Sequence, residues 1–309
     1  MAIWIVGRGI VGRRIERMLV GVDVRFHDPR LEPTPLVDPG DVAVLAHPVE
    51  HAPLAQAFAL RGASVVTIGD SLDDTRELMA LDRDFTSADS TLVIGAALTP
   101  GLSGLLARYL SFDMITVDEI HVAVHGTAGP SCAREHHRSL SAHAVSWRDG
   151  GWRYSIGGGG RELCWFPEPV GARDCYHAEI ASPFLLHQSF PEVQRIDARR
   201  SARRVDRFTA RLPMMRPPHR EGRVGALRVE VRGAAAGGER VTRVLGVAEL
   251  VGTSSAAIAA VFAAAVAAGE LPTGAVVTSD ADLDTLGLLG RVEAAGVRLQ
   301  EFTGEPQSI

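Results

Sequence analysis

The feature that most constrains this chain is its opening, Ile3-Trp4-Ile5-Val6-Gly7-Arg8-Gly9-Ile10-Val11-Gly12. A short apolar run that ends in glycines reads as a buried parallel strand turning sharply into a helix. Gly7 permits the sharp turn, Gly9 lets the backbone approach a pyrophosphate, and Gly12 lets the helix pack close on the strand. The helix N-terminus then faces the phosphates. A plain strand–helix turn can carry the same glycines. Asp28 separates the two readings: it lies 21 residues past Gly7 at the end of the next strand, where a dinucleotide fold places its ribose-binding carboxylate. The expected cofactor-binding residues are Gly7, Arg8, Gly9, Ile10, Val11, Gly12 and Asp28, with Arg30 beside them and Ala46, His47 and Pro48 at the end of the third strand. Asp28 repels a 2′-phosphate and favours NAD, whereas Arg8 and Arg30 near the same edge could clamp that phosphate and leave NADP open.

The strand–helix rhythm continues for about 95 residues. Strands are expected at Val22–Phe26, Asp41–Ala46, Ala63–Ile68 and Ser90–Gly95, and helices at Ile10–Leu19, Pro53–Leu60, Leu72–Asp82 and Gly101–Leu110. That alternation predicts an α/β fold with a parallel sheet. From about Ile115 the sequence turns strand-like and turn-rich, which predicts a second, mainly antiparallel domain. It includes a hairpin around Gly233–Gly238 and a loop at Gly157–Gly160. Helical patterns return at Ser254–Ala268 and Asp282–Ala295, before a strand-like Val297–Phe302. The expected domains are 1–112, 113–250 and 251–309.

Composition removes whole classes of function. All 32 basic residues are arginine; neither Lys nor Asn occurs. Without lysine there is no Schiff base and no P-loop, so pyridoxal-phosphate and lysine-aldolase chemistry are excluded. A general acid or base must be His, Asp, Glu, Tyr or Cys. The formal net charge of −5 argues against nucleic acid as a partner. Cys132, Cys164 and Cys175 have no metal-ligand spacing, so no metal site is expected. Their odd number and the lack of a signal peptide point to a cytoplasmic protein. The apolar run Ala256–Ala268 is 13 residues long, too short to span a bilayer, and predicts a buried core helix.

The GRGIVGRRI opening with Asp28, the ALTPGLSGLLARYL stretch (Ala97–Leu110) and WFPEPVGARDCYHAEI (Trp165–Ile180) together resemble the saccharopine dehydrogenase-like family. VGTSSAAIAAVFAAAVAAGELPTGAV (Val251–Val276) and the closing GVRLQEF resemble that family's C-terminal return. The resemblance implies an N-terminal Rossmann domain with a doubly wound parallel sheet, an inserted α+β domain whose mainly antiparallel sheet often forms a homodimer, and a C-terminal segment packing back on the Rossmann half. It also implies hydride transfer between NAD(P) and a carbon bonded to nitrogen in an amino-acid-derived imine or secondary amine. Lacking lysine, this chain departs from the Lys/His acid–base pair of lysine-forming members.

The richest polar stretch is His121–His143. His121 and His125 share one face of a strand by its period of two, a turn follows at Gly126–Ser131, and Cys132–Ser141 is expected to be helical. Imine reduction needs a proton donor and a cation for the substrate carboxylate, which His and Arg supply. The candidate catalytic residues are His137, His136 and His125; those for substrate binding are Arg134, Arg138 and Ser131, the last through amide groups at the helix start. Each of these histidines could equally be a surface or structural residue. Cys132 is read as a helix-start residue and not a nucleophile. The arginine-rich run Arg195–Arg211 is interleaved with Asp197 and Asp206 and is expected to be a solvated helix face. Trp147, Trp152 and Trp165 are expected in the sheet core or at a dimer contact. Two rival functions stay open on this scaffold: reduction of a C=C or C=O bond, and a non-catalytic dinucleotide sensor or partner subunit.

Overall fold

A computed structural model describes residues 1–28, 35–214 and 217–301. The N-terminal half alternates β1 (Ile3–Val6), α1 (Ile10–Met18), β2 (Val24–His27), β3 (Val42–Leu45), α2 (Ala52–Ala59), β4 (Ser64–Thr67), α3 (Leu72–Ala80), α4 (Asp82–Ser87), β5 (Thr91–Ile94) and α5 (Leu102–Leu110). The second half follows with β6 (Met114–His125), α6 (Pro130–Ser139), β7 (His143–Arg148), β8 (Gly151–Ile156), β9 (Glu162–Trp165) and β10 (Ala172–His177). Next come α7 (Ser182–Ser189), β11 (Arg195–Ser201), α8 (Arg204–Thr209), β12 (Val224–Ala235) and β13 (Arg240–Leu250). The chain closes with α9 (Val251–Ala267), β14 (Gly274–Val277), α10 (Thr285–Ala294) and β15 (Gln300–Glu301).

Six parallel strands form the first sheet in the order β14-β5-β4-β3-β1-β2. Helices cover both of its faces, so its strands are apolar on both sides. Ile3, Ile5, Val42, Val44 and Val66 join one core with α1, α5 and α9, while Val6, Ala43, Leu45 and Val65 join another with α2, α3 and α4. α9 is apolar all round and buried along its length, as the run of 13 residues predicts. Strand order reverses at β1, whose neighbours are β2 and β3. Open α/β sheets bind their ligands outside the carboxyl ends of the strands at such a point.

The second sheet is mixed. Its order is β15-β13-β12-β6-β11-β10-β9, with β7 and β8 attached beside β11. β11 runs parallel to β6; the other pairings are antiparallel. Here the expected helix face at Arg195–Arg211 is corrected. Residues 195–201 form an interior strand, and only the short α8 is helical. The alternation I-D-A-R-R-S belongs to a strand with one apolar face, and the density of charge hid that period of two. Ile196 and Ala198 point into the core with Ile120, Val122 and Val229, while Asp197 pairs with His121 on the opposite, charged face. One further strand, β14, carries no clear sequence signal. β14 adds to the parallel sheet beside β5, and β15 pairs with β13, so only two residues of the strand expected at Val297–Phe302 are paired.

Candidate functional site at the carboxyl edge of the parallel sheet

The glycine loop has the steric character its sequence implies. Gly7 adopts φ +117°, and a Cβ there would lie 2.4 Å from the Ala46 carbonyl oxygen. At Gly12 a Cβ would lie 2.1 Å from the Gly7 carbonyl oxygen, so only glycine lets α1 sit this close to β1. Gly9 differs: a Cβ there would meet nothing within 4 Å. That residue borders open space at the start of α1, whose first turn has neither a side-chain cap nor an acidic residue. A turn made only for packing has no need of this third glycine.

The flanking strands place the other expected residues along the same edge. The Gly7 amide donates to the His27 carbonyl at 2.8 Å, which sets Asp28 beside the loop, and the Ala46 amide donates to the Val6 carbonyl at 2.8 Å. Arg8 lies over the Phe26 ring, 5.0 Å from its centroid. Arg30 lies outside the described residues. His47 is buried, and neither ring nitrogen has a hydrogen-bond partner among the described residues. Burial, with His51 and His27 nearby, pushes its pKa down to about 3, so the ring is neutral at physiological pH. His51 beneath it donates Nε2–H to the His47 carbonyl at 3.1 Å, while its backbone amide and that of Ala52 rest on the Asp74 carboxylate.

One strand further along, past β4, lies Asp70. Its Oδ2 accepts from an Arg200 Nη at 2.5 Å and its Oδ1 from the Ala181 amide at 3.0 Å. Arg200 is 6% exposed and the Asp70 side chain 14%. Burial, reinforced by Glu135, outweighs the pull of Arg200 and raises the Asp70 carboxyl to about 7. This pair ties the carboxyl edge of the parallel sheet to the inner face of the mixed sheet. Around it, three buried polar atoms lack a hydrogen-bond partner among the described residues: Arg200 Nε, the hydroxyl of Tyr176 and Nδ1 of His136. Tyr176 stands opposite Arg200 in the β10–β11 register. Buried polar groups are almost always satisfied, so such a cluster marks a place for water or a ligand.

The structure distributes the sequence candidates unevenly. His136 faces this cluster and donates to the Ser201 carbonyl; burial and the Arg200 charge push it down to about 3, which leaves it neutral. His125 lies on the opposite face of the mixed sheet, the face of His121 and Asp197, its Nδ1 2.6 Å from Ser201 Oγ, its ring centroid 6.0 Å from that of Phe166 and its pKa lowered by burial and by Arg173. His137 instead donates Nε2–H to the Leu212 carbonyl at 2.9 Å, on the α8 side. Arg138 is held by Glu135 and Glu179, at 2.5 and 2.9 Å, so its charge is already paired. Arg134 is exposed and Ser131 sits in the first turn of α6. That helix start meets the glycine loop, because a Cβ on its N-cap, Gly129, would come within 2.9 Å of Ile10 Cδ1. The Cys132 thiol is driven up by burial, as suits an inert packing residue. Asp70, Arg200 and Tyr176 were missed. Only Asp70 had a legible signal, its place just past the end of a predicted strand.

Among solved structures the chain is similar to apo saccharopine dehydrogenase (L-Glu forming) from Saccharomyces cerevisiae, with a TM-score of 0.66 over 98% of this chain and 100% of that one, at 11% sequence identity. The fold is saccharopine dehydrogenase-like. Weaker likenesses include C. glutamicum DAP dehydrogenase in complex with DAP, at TM-score 0.48, 14% identity and coverage of 90% and 93%. Another is GenD2 from gentamicin A biosynthesis in complex with NAD, at TM-score 0.46, 15% identity and coverage of 98% and 96%. No family model matches the sequence, and no curated protein matches it either. In this saccharopine dehydrogenase-like fold, no helix among the described residues is long and apolar enough to cross a membrane. No group of three or more His, Cys, Asp or Glu among them could hold a metal ion.

Proposed function

We propose that this chain is an NAD(P)-dependent oxidoreductase acting on the C–N carbon of an amino-acid-derived imine or secondary amine. The observation that carries this reading is the pairing of two features on one edge. At one end lie the open glycine loop and Asp28; further along, past the end of β4, lie the Asp70–Arg200 pair and its unsatisfied neighbours. A dinucleotide fits the loop: Gly9 and the uncapped start of α1 would take the pyrophosphate, Asp28 the adenosine ribose, and Ala46-His47-Pro48 the stretch leading to the nicotinamide. When bound, the nicotinamide supplies or accepts the hydride.

This chain's own residues do the rest. Asp70, with a carboxyl near 7, can hold a proton at neutral pH and give it to the substrate nitrogen as that nitrogen gains electron density. Arg200, through Nε, and Tyr176, through its hydroxyl, offer donors to a substrate carboxylate. His136 stays neutral and serves as an orienting hydrogen-bond partner, because a histidine near 3 carries no proton to give at pH 7. The α6 start at Ser131 and exposed Arg134 flank the loop side of the site. Asp28 favours NAD over NADP. The protein is proposed to be cytoplasmic, in keeping with its three free cysteines, and to work as a homodimer, as the sequence resemblance implies.

The test is NADH consumption by purified protein with a panel of 2-oxo acids combined with amines. Turnover with at least one amine-plus-oxo-acid pair, and none with the oxo acid alone, supports the reading. Tight NADH binding with no turnover across the panel overturns it in favour of a sensor.

A further inference from the structure

On the other side of β11 from Arg200 lies a cavity of about 240 Å³, lined by β7, β8, β10 and β11. It arises because β7 and β11 are paired at only two positions, Arg195↔Arg148 and Ile196↔Trp147, beyond which the strands separate. Side chains alternate faces along a strand, so Arg195, Asp197 and Arg199 project to one side of β11, and Arg200 to the other. The β7–β8 hairpin turns Ser146, Arg148, Arg153 and Ser155 toward the same space, and Ser146 stands opposite Arg153 in the register. The cavity is thus separated from the coenzyme edge by the sheet itself.

Four guanidinium groups line this space. Arg195 is paired with Asp197 at 2.8 Å and Arg199 with Glu162 at 2.8 Å. Asp197, the one acidic lining residue, is also engaged by His121. Arg148 and Arg153 have no hydrogen-bond or ion-pair partner among the described residues, so two positive charges at this cavity have no compensating carboxylate. The remaining polar lining is two serine hydroxyls and His177. A lining with an excess of donors and fixed positive charge suits an oxyanion that offers acceptors in several directions. The volume falls below the roughly 300–1,000 Å³ of pockets for drug-sized ligands and suits a small one.

We infer that this cavity binds a small phosphoryl anion, free or as the terminal group of a compact metabolite, with Arg148 and Arg153 as its principal cationic contacts. The site is independent of the coenzyme site, and the experiment separates them. Inorganic phosphate is titrated calorimetrically, at constant ionic strength, into wild type, Gly9→Ala and the Arg148→Gln/Arg153→Gln double variant. Both arginines are exposed, so the double variant retains its circular dichroism spectrum; the single variant Arg153→Gln serves if it does not. Saturable binding that survives in Gly9→Ala and weakens at least about tenfold in the arginine variants is the expected result. Binding lost in Gly9→Ala and kept in the arginine variants overturns the inference, since phosphate would then occupy the glycine loop. Absence of saturable binding to wild type overturns it as well. Succinate run in parallel tests the chemistry: tight succinate binding without phosphate binding refutes the phosphoryl assignment.

Discussion

Replacing Gly9 by alanine separates the two jobs a glycine loop can do. A methyl group at Gly9 meets nothing within 4 Å, and its backbone, at φ −74°, suits any L-residue. Restricting the unfolded chain stabilises by about 0.4–1 kcal/mol, while alanine at an N-cap in place of glycine costs an amount of similar size, so the net change in stability is within about 1 kcal/mol. For a chain of this length that moves Tm by no more than about 2–4 °C. Coenzyme affinity responds differently. The same methyl occupies the space through which a pyrophosphate must approach the amides at the start of α1, and a loss of at least about 1.4 kcal/mol, tenfold in Kd, is expected. Gly12→Ala is the contrasting control. Its methyl would lie 2.1 Å from the Gly7 carbonyl oxygen, so α1 must shift off β1 at a cost of about 1–3 kcal/mol, and both stability and binding fall. Fluorescence titration with NADH and thermal denaturation read the two effects separately. If Gly9→Ala binds NADH as tightly as wild type, the assignment of this loop to a pyrophosphate is wrong.

Three further outcomes are expected. Asp28→Ala lowers the preference for NADH over NADPH by about tenfold, measured as the ratio of dissociation constants; an unchanged ratio places the ribose contact elsewhere. With Asp70 as the proton donor, kcat/KM for imine reduction declines as pH rises through about 7, where its carboxyl loses its proton. Asp70→Asn abolishes that limb and lowers turnover by about a hundredfold or more, and an intact limb in the variant would remove Asp70 from the mechanism. Burial alone would raise Asp197, yet its bond to His121 and the charges of His121, Arg199 and Arg195 hold it at about 2, below the ordinary 3.8. A depressed carboxylate stabilises the fold above pH 3.8 and loses that effect as pH falls through 2. Asp197→Asn therefore costs about 2 kcal/mol in urea denaturation at pH 6, and the gap from wild type narrows toward pH 3; a gap independent of pH would contradict the ion-pair account.

The parallel half was legible in the sequence because local rules decide it. Strands buried on both faces must be apolar runs, and a helix can approach a strand only over glycine. Asp28 is read from spacing because the chain returns to the same edge after one helix. β11 was misread for a physical reason. An interior strand whose outer face carries Arg195, Asp197 and Arg199 has the composition of a solvated helix, and only pairing with β6 reveals its alternation. The histidine cluster shows the same divide. Sequence placed His136 and His137 side by side as equal candidates, while a helix sends neighbouring residues about 100° apart, one toward Arg200 and one toward Leu212. Arg138 looked available until Glu179, 41 residues away, arrived beside it.

What the sequence determined by itself is the first helix's approach to its strand and the carboxylate one strand over, since each depends on residues close in the chain. Only the tertiary structure decided where Asp70 and Arg200 meet, 130 residues apart, and therefore which groups are buried together and what protons they hold. A pKa is a property of surroundings, and surroundings are assembled by long-range packing that no local pattern records.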